Sequence, residues 1–125
     1  DTETYESKGA WVYSEMVWHA RQLRAKAGLS PIDWIVQRNR MGAQYMHNKK
    51  KVGDALDALA KRIGFRIGSG FSERVIFREL FPTGMTLLDL REIGIDKMNL
   101  SNLAARQEVR EMITAMHLPG VTVDF

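Results

Sequence analysis

The chain has 125 residues with 45% hydrophobic and 26% charged content, which is one domain's worth of globular chain and not the composition of a disordered one. No apolar run approaches the ~20 residues of a membrane span, and the absence of cysteine excludes a disulfide framework and thiolate metal sites, which makes a reducing cytosol the default. The net charge of +3 conceals a basic centre: residues 38–79 hold ten of the eighteen Lys/Arg against four of the fifteen acidic residues. Such a block suits either a polyanion, meaning nucleotide phosphates or a nucleic-acid backbone, or a solvated surface. The first residues, Asp1 to Thr4, carry no secretory signal. The chain does not begin with Met and reads as an excised piece of a longer protein.

Taken in order, Glu6–Ala27 has a helical period. Tyr13, Met16, Val17, Ala20, Leu23 and Ala27 share one face, and Gly28 is the stop. Trp11 and Trp18 are expected to pack against a neighbouring element. After Ser30-Pro31, the apolar run Ile32–Val36 predicts a buried parallel strand, with Met41–His47 as a loop. Asn48 is the expected N-cap of a helix ending at Gly64, whose Val52, Ala55, Leu56, Leu59 and Ile63 form one apolar stripe. Lys49, Lys50 and Lys51 then fall in its first turn, where cations oppose the helix dipole at ~0.3–1 kcal/mol each. Phe65–Ile67 is the second strand, closing a right-handed strand–helix–strand unit. Gly68-Ser69-Gly70 leaves it through a loop whose glycines permit close backbone approach, and Ser72 is the expected cap of a short helix, Glu73–Phe81, ended by Pro82 and Gly84. Met85–Leu90 is apolar and should dock on the core, and Arg91–Leu100 is a connector. Ser101 is the expected cap of the last helix, striped by Ala105, Val109, Met112, Ile113 and Met116. The seven methionines are spread through the chain and read as core filler.

Chemistry-bearing motifs are few. There is no G-x-x-x-x-G-K-[ST] phosphate loop and no G-x-G-x-x-G, and His19, His47 and His117 show no metal-ligand spacing. No catalytic group follows from the residues alone. Asn39 stands out because it lies just past a strand's carboxyl end, where open α/β sheets bind ligands. Its carboxamide can pair with an adenine edge, although spacing alone favours a loop asparagine bonded to its own backbone.

Three runs carry a resemblance: W-I-V-Q-R-N-R at Trp34–Arg40, the stretch from Ala58 to Leu90, and N-L-A-A-R-Q-E-V-R at Asn102–Arg110. Together they resemble the MipZ family, the division-plane-positioning branch of the ParA/MinD deviant Walker ATPases. The likeness covers nearly the whole chain. It implies an α/β fold, the carboxyl-terminal half of a doubly wound P-loop NTPase-like domain with a mostly parallel sheet. Residues 1–125 would form that half, and the amino-terminal half with the phosphate loop would lie outside this sequence.

Carried over residue by residue, the resemblance implies an adenine pocket at Asn39 and Arg38, with Gly68, Ser69, Gly70 and Phe71 as its other wall. It implies DNA contacts at Lys49, Lys50, Lys51, Arg74 and Arg40, and it departs from the family pattern at His47 and Ser72, where basic residues are expected. The full protein would be an ATP hydrolase using ATP and Mg, whereas the fragment would bind neither alone and should be inactive. Its partners would be a second copy in an ATP-dependent homodimer, ParB, FtsZ and non-specific DNA, with no membrane span and a cytoplasmic, nucleoid-associated location. The other readings are a ParA-type chromosome or plasmid partition ATPase and a stand-alone basic nucleic-acid-binding module.

Overall fold

The computed structural model describes residues 12–42, 46–89 and 100–124, with the side chains of residues 46 and 47 excepted. Among these residues there are four α-helices and two strands: α1 (Val12–Lys26), β1 (Ile35–Val36), α2 (Met46–Leu59), β2 (Arg66–Ile67), α3 (Val75–Leu80) and α4 (Leu100–Ala115). The chain divides into two compact units, Asp1–Val36 with Tyr45–Ile67 and Gln37–Gln44 with Gly68–Phe125.

The first unit holds a strand–helix–strand element, but the expected buried strand Ile32–Val36 is reduced to Ile35 and Val36, both only half-buried, and β2 to Arg66 and Ile67. A two-stranded sheet among the described residues leaves its faces partly open. β1 and β2 pair in parallel, Ile35 opposite Arg66 and Val36 opposite Ile67. Between them α2 half-buries Val52, Ala55, Leu56 and Leu59, and Ile63 follows in a π-helical turn, Ala60–Gly64. That turn ends with carbonyls that no later amide can reach. Arg21 of α1 supplies the donors: Nη1 bonds Ile63 O at 2.8 Å and Nη2 bonds Gly64 O. The same guanidinium lies 5.8 Å from the centre of the Trp34 ring, which in turn packs on Phe65 with centroids 5.2 Å apart. Asp33 accepts two bonds from Arg66.

The second unit holds the core. Ile76, Leu80, Leu87 and Ala105 are buried, with Phe77, Met85 and Val109 packed against them. Of the apolar Met85–Leu90 run, Leu87 docks on the core at 3% exposure and Met85 packs beside it, while Leu88 is 47% exposed. The stripe of α4 holds from Ala105, which is fully buried, through Val109, Met112 and Ile113, which are half-buried, but Met116 lies past the helix end at Ala115 and is 41% exposed. Gly84, at φ 71°, donates its N–H to Phe81 O and ends the 3-10 turn that follows α3.

Several expectations are corrected. α2 begins at Met46, so Asn48 lies inside the helix instead of capping it, and Met46 and His47 are helical, not loop. Lys50 and Lys51 therefore fall beyond the first turn, where the dipole has faded. α3 begins at Val75, with Arg74 in the cap position and no side-chain cap bond. α4 begins at Leu100, which puts Ser101 within it. A polar residue near the start of a periodic stripe does not fix the helix start: α2 and α4 begin before theirs, and α3 begins three residues after Ser72, whose neighbour Glu73 is bonded to the 38–41 segment. α1 ends as predicted, with Gly28 left-handed and Leu29 N–H reaching Arg24 O at 3.0 Å. However, none of its described side chains is buried, and Trp18 is 62% exposed. A helical stripe specifies a face that wants a partner and says nothing of whether these residues supply it. Trp11, the start of the first helix at residues 6–11, Leu90 and the connector at residues 91–99 lie outside the described residues.

Candidate functional site

Past the two strands, residues 37–42 and 68–73 belong to the second unit and run side by side. Phe71 N–H donates to Arg38 O at 2.9 Å, Met41 N–H to Phe71 O at 2.9 Å, and Glu73 N–H to Met41 O at 3.0 Å. Met41 stands opposite Ser72 in the parallel sense. This approach favours glycine at position 70. A Cβ on Gly70, at φ 84°, would sit 3.0 Å from Arg38 O and 2.7 Å from Met41 Cε. One on Gly68 would lie 2.2 Å from Gln37 Oε1, and both amide atoms of Gln37 are buried without a hydrogen-bond partner among the described residues.

These strand extensions open onto a cavity of about 560 Å³, within the range of small-molecule sites. Asn39 and Arg40 line it on one side, and Phe71, Ser72, Glu73 and Arg74 on another. Phe77, Arg78 and Phe81 come from α3 and the turn after it, and Val109 from α4. The Phe71 and Phe77 rings meet nearly edge to face, with centroids 5.9 Å apart, and Phe81 is 83% exposed. Such a wall offers aromatic edges and faces to a flat ligand.

The expected residues are thus partly assembled. Asn39, Phe71, Arg40 and Arg74 line the cavity; Arg38, Gly68, Ser69 and Gly70 do not, and they shape the backbone beside it. Lys49, Lys50 and Lys51 are exposed on α2 of the first unit. Asn39 Oδ1 accepts from the N–H of Arg40 at 3.0 Å, the local bond that a loop asparagine favours. That bond uses one lone pair, leaving the other and the amide donors for a ligand. It also accompanies an uncommon conformation, since Arg40 has φ 54°.

Two of the three cavity arginines are committed. Arg40 Nη2 bonds Glu73 Oε1 at 3.0 Å on the surface. Arg74 bonds Glu108 of α4 through Nη2 at 2.9 Å and Nε at 3.4 Å, and its Nη1 lies 3.5 Å from Ser101 Oγ. Ser72 N–H donates to the same carboxylate at 3.2 Å. Burial pushes the Glu108 carboxyl up, but the bonds from Arg74 and Ser72 outweigh it and hold the group below the usual carboxylate range. Arg78 forms no ion pair among the described residues. Sequence reasoning missed Phe77, Arg78, Phe81 and Glu108. The recurrence of Phe77 and Phe81 four residues apart was a usable signal, whereas Glu108 is joined to the site only by tertiary contact.

The cavity thus offers a carboxamide and phenyl rings beside two segments that pair in the parallel sense at Met41 and Ser72. A family model described as ATPase MipZ matches residues 1–120, and the chain belongs to that family. Membership implies a division-site ATPase of P-loop type, and with it nucleotide binding by the full protein. No curated protein matched the chain. Among the described residues no helix is long and apolar enough to cross a membrane, and no three His, Asp or Glu side chains converge as metal donors. Magnesium therefore has no such donor set here, and no step through it is drawn from this chain.

Proposed function

We propose that the second unit holds the adenine ring of ATP, and that this chain is the carboxyl-terminal half of a doubly wound domain whose phosphate loop lies in the other half. The observation that carries the reading is the convergence of Asn39 and Phe71 on one cavity, where their two segments bond to each other within the second unit. Asn39 would accept from the adenine amino group and donate to a ring nitrogen while Phe71 packs on the ring, with the Gly68–Gly70 backbone and Arg38 setting their positions. Two points support a missing half. Two parallel strands are too few for a self-sufficient sheet, and α1 leaves Val12, Met16, Trp18 and Leu23 more than half exposed. Magnesium and hydrolysis belong with the phosphate loop.

In the full protein, ATP would drive homodimerisation, and the dimer would contact ParB, FtsZ and the DNA backbone in the cytoplasm, on the nucleoid. Lys49, Lys50 and Lys51 are the first candidates for phosphate contact. Arg40 and Arg74 would have to exchange a carboxylate for a phosphate, so their contribution to DNA affinity is expected to be smaller. Charge neutralisation of this kind is indifferent to sequence and steeply salt-dependent.

The test is an ATP titration of the full-length protein with Asn39→Ala. Loss of a paired carboxamide at ~1–1.5 kcal/mol predicts affinity about tenfold weaker. Unchanged affinity removes Asn39 from the pocket. A basic nucleic-acid module without nucleotide chemistry would instead bind DNA equally well with and without ATP, and a ParA-type partition ATPase would bind ATP but leave FtsZ assembly untouched.

A further inference from the structure

Backbone donors along a parallel strand alternate sides. Phe71 and Glu73 spend theirs on the neighbouring 38–41 segment, so the Ser72 N–H points to the opposite, open edge. An unpaired donor there is an invitation to misplaced pairing or to water. In this chain it meets Glu108, one residue before the cavity-lining Val109 on α4. The same carboxylate takes both Nε and Nη2 of Arg74, and the two side chains are only 21% and 15% exposed.

We propose that Glu108 is the positioning residue of the cavity: by accepting from Ser72 N–H and the Arg74 guanidinium together, it fixes the Phe71–Arg74 wall against α4. The assignment of a ligand to that wall rests on the base-pocket reading above, while the clamp itself does not. Glu108 does not line the cavity, so its effect on a ligand passes entirely through the position of Phe71 and Ser72. Arg74 becomes the second jaw of the clamp. Its guanidinium is held by the protein's own carboxylate, which accounts for its place in the wall without any phosphate.

The experiment pairs two readouts on the full-length protein with Glu108→Ala, Glu108→Gln and Asn39→Ala. Amide exchange at Ser72 reads the clamp directly. Glu108→Ala is expected to speed it at least tenfold while α4 amides around Ala105 keep their protection, and Glu108→Gln, which retains a side-chain acceptor, should restore most of the protection. Affinity for a fluorescent methylanthraniloyl-ATP, read in the same samples, should fall several-fold in Glu108→Ala and recover in Glu108→Gln. Unchanged Ser72 exchange in Glu108→Ala overturns the clamp, as does a loss of affinity equal in Ala and Gln. If Asn39→Ala and Glu108→Ala both leave affinity unchanged while Ser72 exchange rises, the base-pocket reading fails and the clamp stands. If only Asn39→Ala weakens binding, the pocket stands and Glu108 is not its positioning residue.

Discussion

The two units are held by different physics. Every described residue classed as buried, from Gly70 to Ala105, lies in the second unit, whereas the first has none. The first unit relies on Arg21 across the end of α2, on the Trp34–Phe65 ring contact and on the exposed Arg66–Asp33 pair. Contacts of this kind contribute little each in water. The second unit has an apolar core with a cavity built onto it, and the candidate ligand residues sit on the rigid side of that contrast. Sites that must hold a ligand in a fixed geometry need such support. Amide exchange should show the difference, with α4 protected far longer than α1.

The largest effect that would test the contrast comes from truncating equivalent leucines. Leu87→Ala, at 3% exposure, should destabilise the second unit by ~2–5 kcal/mol. Leu23→Ala in α1, at 54% exposure, should stay within ~0.5 kcal/mol. Denaturant unfolding of both variants checks this, and equal losses would mean that the α1 face is covered in solution. Next in size is Gly70→Ala. Its left-handed φ and the fixed Arg38 carbonyl leave the methyl no room, so a loss of ~1–3 kcal/mol is expected by the same measurement. It should be accompanied by weaker ATP binding in the full protein, because Phe71 is the next residue.

Much of this was legible in the sequence because it is local. The stripe Val52, Ala55, Leu56, Leu59 and Ile63 needs only the 3.6-residue period, and the β1–α2–β2 unit follows from two short apolar runs around it. Gly70 was readable as a close backbone approach, and it is one. What failed was decided by neighbours or by distance along the chain. Asn48 and Ser101 have the chemistry of caps, but cap choice depends on where the preceding residues turn, which no single residue type fixes. Trp18 was expected to be covered on size alone. Asn39 stood out as a candidate by its place past a strand end, and Phe71 through the resemblance alone; both line the cavity. The ion-pair partner of Arg74 was not legible, because Glu108 lies thirty-four positions away and nothing local in either marks the other.

A smaller effect comes from pH. Glu108 is held below the usual carboxylate range, so its contribution is fully present above the unfolded value of about 4.3 and is lost as pH falls through the folded value. The second unit should therefore lose stability in acid, and Glu108→Gln should flatten that part of the profile while lowering stability at neutral pH. Thermal unfolding between about pH 6 and pH 3 measures both. A profile that Glu108→Gln leaves unchanged would mean that the carboxylate is not paired in solution.

The smallest effect belongs to the first unit and is the sharpest test of its openness. Asp33 accepts from Arg66 Nε at 2.9 Å and Nη2 at 2.6 Å, a bidentate geometry that looks strong on paper. Both side chains are substantially exposed, and that decides the matter: water competes for the same donors, and salt screens what remains. Asp33→Asn should give no measurable shift in thermal unfolding, at low salt or high. A clear loss at low salt that persists at high salt would show the pair to be shielded from solvent. That result would mean that something covers this edge of the first unit in the full protein, as the proposed missing half would do.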